Sequence, residues 1–274
     1  MKRKRRSLSR RKVLTYKDQY DPGLLLPVSR ATHRTGIGIG RVLPFSGVDI
    51  WNAYELSWLD SGGKPRVAIA TMIFPAESRR LIESRSMKLY LNSFNQSYFL
   101  SIALVERTMR RDLRQACGSR VKVKITLPGR FGRQVLEELE GELIDGVDTR
   151  ISSYTPDAAL LSVRGPVVEE TLTSHLLKSN CPFTGQPDWA SVQVRYRGPR
   201  ISRPGLLRYI VSFRQHSDFH EHCVERIFTD ILRQCRPERL TVYARYTRRG
   251  GIDINPFRTN CGDAPPSNRR TARQ

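Results

Sequence analysis

A cysteine and an aspartate flank a short turn-forming segment, CPFTGQPD, which runs from Cys181 to Asp188. Pro182, Gly185 and Pro187 favour a tight turn between the β-like stretches on either side. Such a turn brings Cys181 and Asp188 together and places a soft nucleophile beside a group that can donate or accept a proton. The other interpretation is a structural cysteine, because reactivity depends on a lowered thiol pKa that a sequence does not display.

A second polar group surrounds the predicted start of a helix at about residue 219. Glu221 fits either a capping-box partner of Asp218 or a ligand-binding carboxylate, and the sequence leaves both interpretations open. His216 and His220 have i, i+4 spacing, and His222 adds a third imidazole. A zinc site is disfavoured, since the helix begins only at about residue 219 and no cysteine stands at matching spacing.

The common nucleotide-binding motifs are missing from the sequence. The glycines between Thr35 and Gly40 lack the G-x-G-x-x-G spacing of a Rossmann site. We also find no P-loop, no catalytic GxSxG and no RNP-type aromatic motif. The segments above must therefore be positioned by another type of fold.

An internal repeat at an offset of 119 residues indicates what that fold is. Twelve of the 34 positions from 90 to 123 are identical to their counterparts, from Tyr90 and Tyr209 to Val123 and Val242. Each copy has strand-like, helical and again strand-like stretches, which predicts an α+β module with a mainly antiparallel sheet and helices on one face. We expect one module at residues 20–150 and the other at 151–262.

The coarse elements follow from the apolar patterns of the two copies. In the first copy, the predicted elements are a strand at 67–74, a helix at 97–116 and a strand at 121–127. In the second, they are a strand at 190–196, helices near 205–213 and at 219–235, and a strand at 240–246.

The copies differ in polar residues that are suited to chemistry. The first carries Glu83, whereas the second has lost that carboxylate, and the second carries His220 and Glu221, which the first lacks. A composite site that draws residues from both halves, or from neighbouring chains, explains this pattern. Simple divergence of two surfaces is the alternative.

Composition and charge exclude several protein classes. The 274 residues include 47 Lys and Arg against 26 Asp and Glu, a net charge of +21, with 39% hydrophobic residues. This composition excludes a disordered polyelectrolyte and a fibrous protein. Residues 1–12 hold eight of the basic residues, so we expect a flexible basic tail at 1–19, either solvated or bound to nucleic acid. Residues 263–274 are expected to be a second flexible tail.

The expected location is the cytoplasm. Five cysteines without a CxxC pair favour a reducing compartment. No apolar run approaches the roughly 20 residues that span a bilayer, so no membrane partner is expected.

Six segments together resemble a known family: ESRSMKLY (83–90), LLKSNC (176–181), QPDW (186–189), SFR (212–214), FHE (219–221) and YARYTRRGG (243–251). The family is that of the NADPH-dependent 7-cyano-7-deazaguanine reductases, the nitrile reductases of queuosine biosynthesis, in their long two-module form. The similarity extends from about Tyr20 to Asn255. Arg85 stands where the family usually has lysine, and it is bulkier and planar.

The resemblance implies a fold, an assembly and a reaction. The fold is two tandem tunnelling-fold (T-fold) modules related to GTP cyclohydrolase I, in a homodimer with active sites at module interfaces. The reaction is a four-electron reduction of the nitrile of 7-cyano-7-deazaguanine to an aminomethyl group by two NADPH, without a metal. Nucleic acid is not required for it.

The resemblance also implies roles for individual residues. Cys181 would form a covalent thioimidate with the nitrile carbon, and Asp188 would act as the proton donor. The implied substrate-binding residues are Ile82, Glu83, Ser84, His220 and Glu221. The implied NADPH-binding residues are Ser84, Arg85, Arg249 and Gly250.

Two other classes of function stay open from the residues alone. One is a T-fold relative that hydrolyses or cyclises a pterin-like substrate, which would need metal ligands or catalytic histidines. The other is an RNA-binding module driven by the positive charge, in which Cys181 would be dispensable.

Overall fold

The computed structural model describes residues 16–274, so most of the predicted basic tail lies outside the described residues. The helices of this part are α1 (Ala31–Gly36), α2 (Ser84–Asn92), α3 (Ile102–Cys117), α4 (Arg203–Ser212) and α5 (His220–Cys235). The strands are β1 (Pro27–Ser29), β2 (Ser46–Leu59), β3 (Pro65–Pro75), β4 (Arg80–Ile82), β5 (Lys122–Thr126), β6 (Glu142–Leu143), β7 (Val163–Asn180), β8 (Pro187–Ile201), β9 (Arg239–Tyr246) and β10 (Ile252–Thr259).

The second half repeats the element order of the first. The series β2, β3, α2, α3, β5 is followed by β7, β8, α4, α5, β9. α2 begins at Ser84 and α4 at Arg203, and 203 minus 84 is the offset of 119 found in the sequence. The mixed α+β architecture predicted from the repeat is therefore confirmed.

The first long helix begins later than the apolar pattern predicts. The prediction placed its start at Ser97, whereas α3 begins at Ile102. Ser101 is extended and its hydroxyl accepts a hydrogen bond from the Leu104 N–H at 3.2 Å. This cap satisfies one of the free N–H groups of the first turn and fixes the start of the helix.

Eight strands form one sheet in the order β5, β3, β2, β10, β9, β8, β7, β6. Neighbouring strands are antiparallel except β6 and β7. The two halves meet where β2 pairs with β10, from Ser46 opposite Thr259 to Ala53 opposite Ile252. The sheet is thus continuous across both halves, and β1 and β4 form a separate small sheet.

Helices cover one face of the sheet and bury two apolar cores. In the second half, Phe228 and Ile231 of α5 belong to the same buried cluster as Val192 of β8. In the first half, Met109 of α3 is buried with Trp58 of β2. No helix among residues 16–274 is long and apolar enough to cross a membrane.

Residues 263–274, expected to be a flexible tail, lie against the other face of the sheet. Side chains alternate along β9, so that Arg245 faces away from the helices that cover Ala244 and Tyr246. The Gln274 side chain accepts a hydrogen bond from Arg245 Nε at 2.7 Å and donates to the Tyr246 carbonyl and to Asn255 Oδ1, both at 2.8 Å. Apolar patterning does not reveal such docking, because polar contacts hold the segment in place.

Candidate active site

The turn between β7 and β8 brings Cys181 and Asp188 to its two ends. Ser179 lies opposite Asp188 in the strand pair. The Cys181 N–H donates to the Gln186 carbonyl at 2.8 Å, and the Gly185 N–H donates to the Cys181 carbonyl at 2.9 Å. Gly185 has a φ of 70°, which favours glycine. Cys181 is buried, with 7% of its surface exposed.

The surroundings of the Cys181 thiol favour its ionised form. Burial opposes ionisation, but hydrogen bonds from the Thr184 hydroxyl, from the N–H groups of Phe183 and Thr184, and from the Arg249 guanidinium outweigh it. The pKa of Cys181 is therefore lowered from its usual value. A thiolate is the nucleophilic form of cysteine, so these contacts favour the form of Cys181 that can attack an electrophile.

Asp188 lies beside two further groups that the sequence analysis selected. Its Oδ1 atom is 3.4 Å from Arg249 Nε and 3.7 Å from His220 Nε2. Burial raises the pKa of Asp188 to about 6, against the opposing effect of Arg249, Lys88 and Lys178. A carboxyl group with this pKa can give up and regain a proton near neutral pH.

His220 is held neutral at physiological pH. It is the first residue of α5, and its ring meets that of Tyr246 edge to face at 4.2 Å between centroids. Burial, with the positive charges of Arg249 and Lys88, lowers the pKa of His220 to about 3. The imidazole can therefore accept one hydrogen bond and donate another without carrying a charge.

Glu221 follows on α5 and does not cap the helix. The N-cap of α5 is Phe219, which has no side-chain hydrogen bond to the first turn. Only 1% of Glu221 is exposed, and its Oε1 atom has no hydrogen-bond partner among the described residues. Burial, with the negative charge of Asp49, raises the pKa of Glu221 to about 8, although Arg30 opposes this. Of the two interpretations, the structure removes the capping box.

Glu83 does cap a helix, at the start of α2. Its Oε1 atom accepts the Arg85 N–H at 2.9 Å, and Oε2 accepts the Ser86 N–H at 2.7 Å. Ile82 is buried on β4 directly before it. Each carboxylate oxygen has further acceptor capacity, so the cap leaves room for ligand hydrogen bonds.

Lys88 is a site residue that sequence reasoning missed. Burial and the charge of Arg249 lower its pKa, and its electrostatic neighbours also include Glu83, Asp188 and Cys181. It lies one helical turn after Ser84 in the matched segment, and this spacing places both on one face of α2. That spacing is the signal that could have identified it.

A small cavity joins the two halves of the chain at this site. Ser84 and Lys88 come from the first half, and the other lining residues come from the second: His220, Thr247, Arg249, Ile252 and Ile254. Gly250 lies against Lys88, because a Cβ atom there would be 2.9 Å from Lys88 Nζ. The Arg85 guanidinium lies 5.9 Å from the ring centre of Phe183 in the turn that follows Cys181.

Cationic groups from both halves of the chain lie around this cavity. Lys88, Arg85 and Arg249 come from opposite sides, and Gly250 at a φ of 59° allows the backbone to turn there. Guanidinium groups bind phosphates with two parallel hydrogen bonds. A thiol, a carboxyl group and a cationic rim can together add a nucleophile to an electrophilic carbon and manage the protons.

Two family models match the chain. One, described as "Nitrile reductase, 7-cyano-7-deazaguanine-reductase N-term", matches residues 16–125, and one described as "QueF-like protein" matches residues 187–265. A curated relative from Bordetella parapertussis is 59% identical over 95% of this chain and 96% of its own. One from Paraburkholderia xenovorans is 56% identical over 96% of this chain and 97% of its own. Both relatives carry the name NADPH-dependent 7-cyano-7-deazaguanine reductase.

A solved structure, the apo form of the archaeosine synthase QueF-Like, is similar over 37% of this chain and 100% of its own. Its sequence identity is 17% and its TM-score is 0.31. A likeness at this level carries no argument about fold or function.

Proposed function

Because the chain belongs to the family of NADPH-dependent 7-cyano-7-deazaguanine reductases, we propose that it reduces the nitrile of 7-cyano-7-deazaguanine to an aminomethyl group. The nitrile carbon receives two hydrides and the nitrogen two protons, which gives 7-aminomethyl-7-deazaguanine. Two NADPH are oxidised in each turnover. The observation that carries the proposal is the Cys181 thiol, with a lowered pKa, at one end of a turn and Asp188 at the other.

The first step is attack by Cys181 on the nitrile carbon. The sulfur forms a bond to carbon as one π bond of the nitrile opens, and the nitrogen takes a proton from Asp188, which gives a thioimidate. Asp188 suits this role because its pKa of about 6 keeps a protonated fraction near neutral pH. Neutral His220, 3.7 Å from Asp188, can pass protons between this carboxyl group and the substrate.

NADPH, when bound, supplies a hydride in each of two successive reductions. Arg249, Arg85 and Lys88 would hold its phosphates, and Ser84 and Gly250 would shape the place where it lies. After the first reduction, the carbon–sulfur bond breaks and Cys181 leaves as a thiolate, which the Thr184 and Arg249 hydrogen bonds stabilise. Asp188 then supplies the proton that the amine needs.

The substrate would lie between the two halves of the chain. Glu221 supports this placement, because a buried carboxylate oxygen without a partner is costly unless a ligand donates to it. The deazaguanine base offers N–H donors that match Glu221 and the remaining lone pairs of Glu83. Ile82, Ser84 and His220 would complete the pocket.

The wider setting belongs to the same proposal. The two α+β halves would be tandem T-fold modules, divided as the sequence repeat predicts, and two chains would form a homodimer. The product would enter queuosine biosynthesis in the cytoplasm, and the reaction itself would need no nucleic acid. The helix-covered continuous sheet is compatible with such an assembly.

Turnover and covalent trapping test the proposal. Full-length protein is incubated with 7-cyano-7-deazaguanine and NADPH, and loss of the nicotinamide absorbance is followed. Intact mass is measured with the substrate alone. We expect turnover and an added mass equal to one substrate in the wild type, and neither in Cys181→Ala. Cys261→Ala is the control, since Cys261 is the one described cysteine that is not buried.

Two outcomes would contradict the proposal. A Cys181→Ala variant that still oxidises NADPH with the nitrile would remove the thiol from the reaction. A wild-type protein that consumes no NADPH with the nitrile would remove the reaction itself.

A further inference from the structure

The strands β9 and β10 separate next to the proposed active site. Their last paired residues are Tyr243 of β9 and Phe257 of β10. Beyond these residues β9 remains paired with β8, and β10 remains paired with β2. The connection at 247–251, which carries Arg249, therefore leaves the sheet where the two strands have already parted.

The side chain of Gln274 lies in this gap and joins the two strands. Its Nε2 atom donates to the Tyr246 carbonyl and to Asn255 Oδ1, both at 2.8 Å. Its Oε1 atom accepts from Arg245 Nε at 2.7 Å and from the Thr271 N–H at 3.2 Å. Gln274 is 6% exposed, and these four bonds use both N–H donors and both lone pairs of the amide. The amide thus links β9 to β10 where the ladder does not.

The main chain of Gln274 holds a second point, inside the connection. Arg248 Nη2 donates to the main-chain oxygen of Gln274 at 3.2 Å. The Arg248 guanidinium also lies 4.6 Å from the ring centre of Tyr54, a distance that suits a cation–π contact. Arg248 directly precedes Arg249, so Gln274 restrains the residue next to the one that reaches the active site.

The position of this connection matters for the thiol and its proton donor. Arg249 Nε lies 3.4 Å from Asp188 Oδ1, and the guanidinium forms a hydrogen bond with the Cys181 thiol. Gly250 and the glycine after it have φ values of 59° and 72°, a region that gives the main chain freedom to move. A displacement of a few tenths of an ångström would weaken both contacts of Arg249, so the connection needs restraint from outside.

We propose that Gln274 is a positioning residue, which holds the connection at 247–251 so that Arg249 reaches both the thiol and the phosphates of NADPH. This inference rests on the proposed function, which places NADPH beside Arg249. Gln274 acts through Tyr246 and Arg248 and contacts neither reactant. The connection is thereby ordered before the cofactor arrives, and binding does not have to supply that order.

Two variants separate positioning from folding. Gln274→Ala removes all four side-chain bonds. Gln274→Glu keeps an acceptor for Arg245, whose other acceptors are the neutral Tyr243 hydroxyl and Asn268 Oδ1. It has no N–H for the Tyr246 carbonyl, so it loses the bond between the strands while it keeps the contact beneath them.

Two measurements on the full-length protein report the position of Arg249. The first is the dissociation constant of NADPH, from titration of its fluorescence, and the second is the pH profile of Cys181 alkylation by iodoacetamide. We expect the dissociation constant to rise about fivefold in both variants, since the binding site loses its order. The alkylation profile should move to higher pH, because the Arg249 hydrogen bond lowers the pKa of Cys181. A merely structural role would lower the melting temperature and leave both measurements on folded protein unchanged.

Ser267→Ala is the matched control. Ser267 is an exposed residue of the same segment, and its hydroxyl lies 3.4 Å from Glu137 Oε2, away from the connection. This variant should bind NADPH and react with iodoacetamide as the wild type does. If Gln274→Ala fails to fold, Gln274→Glu decides the question.

The proposal is overturned if folded Gln274→Glu protein has the dissociation constant or the alkylation profile of the wild type. It is overturned equally if Ser267→Ala causes the same losses, because the effect would then belong to the whole segment. Alkylation needs neither the nitrile nor NADPH. A shifted alkylation profile in a protein that does not reduce the nitrile would therefore refute the proposed function and leave the role of Gln274 toward the thiol supported.

Discussion

Replacing Glu225 by glutamine should strongly destabilise the fold, because this carboxylate lies in a fully buried charge network between the two halves. Glu225 on α5 contacts Arg34 at 2.7 Å, Arg258 of β10 at 2.9 Å and Arg30 at 3.5 Å. Asp49 of β2 also contacts Arg258, at 2.8 Å, and Arg30. Three arginines then face two carboxylates, and glutamine would leave them with one.

Two independent arguments give the size of the effect. Removing one partner of a buried ion pair costs about 3–5 kcal/mol. Burial opposes ionisation of Glu225, but Arg258, Arg34 and Arg30 lower its pKa from 4.5 to about 2. That difference corresponds to about 3 kcal/mol of folding free energy at neutral pH. For a chain of 274 residues, the melting temperature should fall by about 6–10 °C.

The measurement is thermal unfolding followed by calorimetry and circular dichroism at pH 7. Glu137→Gln is the matched control, because Glu137 pairs with Arg269 at 2.7 Å with both side chains nearly half exposed. An exposed pair contributes at most about 1 kcal/mol, so the control should melt within about 2 °C of the wild type.

The contribution of Glu225 to folding stability depends on pH in a definite direction. The folded pKa of Glu225 is depressed, so its contribution is present above pH 4.5 and is lost as the pH falls toward 2. The gap in melting temperature between wild type and Glu225→Gln should therefore narrow in that range. A Glu225→Gln protein that melts within 2 °C of the wild type at pH 7 would refute the reasoning.

Two further predictions concern the proposed active site. Arg249→Ala should raise the pKa of Cys181, since the guanidinium hydrogen bond lowers it. The pH profile of Cys181 alkylation by iodoacetamide, read by peptide mass spectrometry, should therefore move to higher pH. A profile that does not move would contradict this. Glu221, with a pKa of about 8, should bind substrate more tightly once ionised, so affinity should rise about 25-fold from pH 6.5 to 8.5. Glu221→Gln should flatten this rise in calorimetric titrations, and equal slopes in both proteins would exclude the role.

The elements that the sequence predicted best are those fixed by local signals. Turn residues mark the connection between Cys181 and Asp188, and the apolar stripe of α5 marks a helix that begins within one residue of its predicted start. The start of α3 was predicted wrongly, because helix-compatible residues precede Ser101 and only the cap decides between them. A local sequence pattern does not show which of several possible residues forms the N-cap of a helix.

Other features depend on contacts between residues far apart in the chain, which patterns do not contain. His33 and His222 stack although 189 residues, 222 minus 33, separate them. The sequence offered two roles for Glu221, and only the placement of Phe219 as N-cap removed one. The roles of Glu83, Ile82 and the cofactor-binding residues stay predictions, since a fold locates a side chain without showing what it binds.

The pairing of β2 with β10 has a consequence for synthesis on the ribosome. β2 ends at Leu59. Its partner β10 ends at Thr259, about 200 residues later. At translation rates of about 5–20 residues per second, β10 is synthesised roughly 10–40 s after β2, so the edge of β2 that pairs with β10 stays unpaired for that time. During that time the nascent chain exposes an open strand edge that can pair with other chains. Slower elongation should therefore lower the yield of native protein by aggregation, and truncation before β10 should do so at any rate of synthesis.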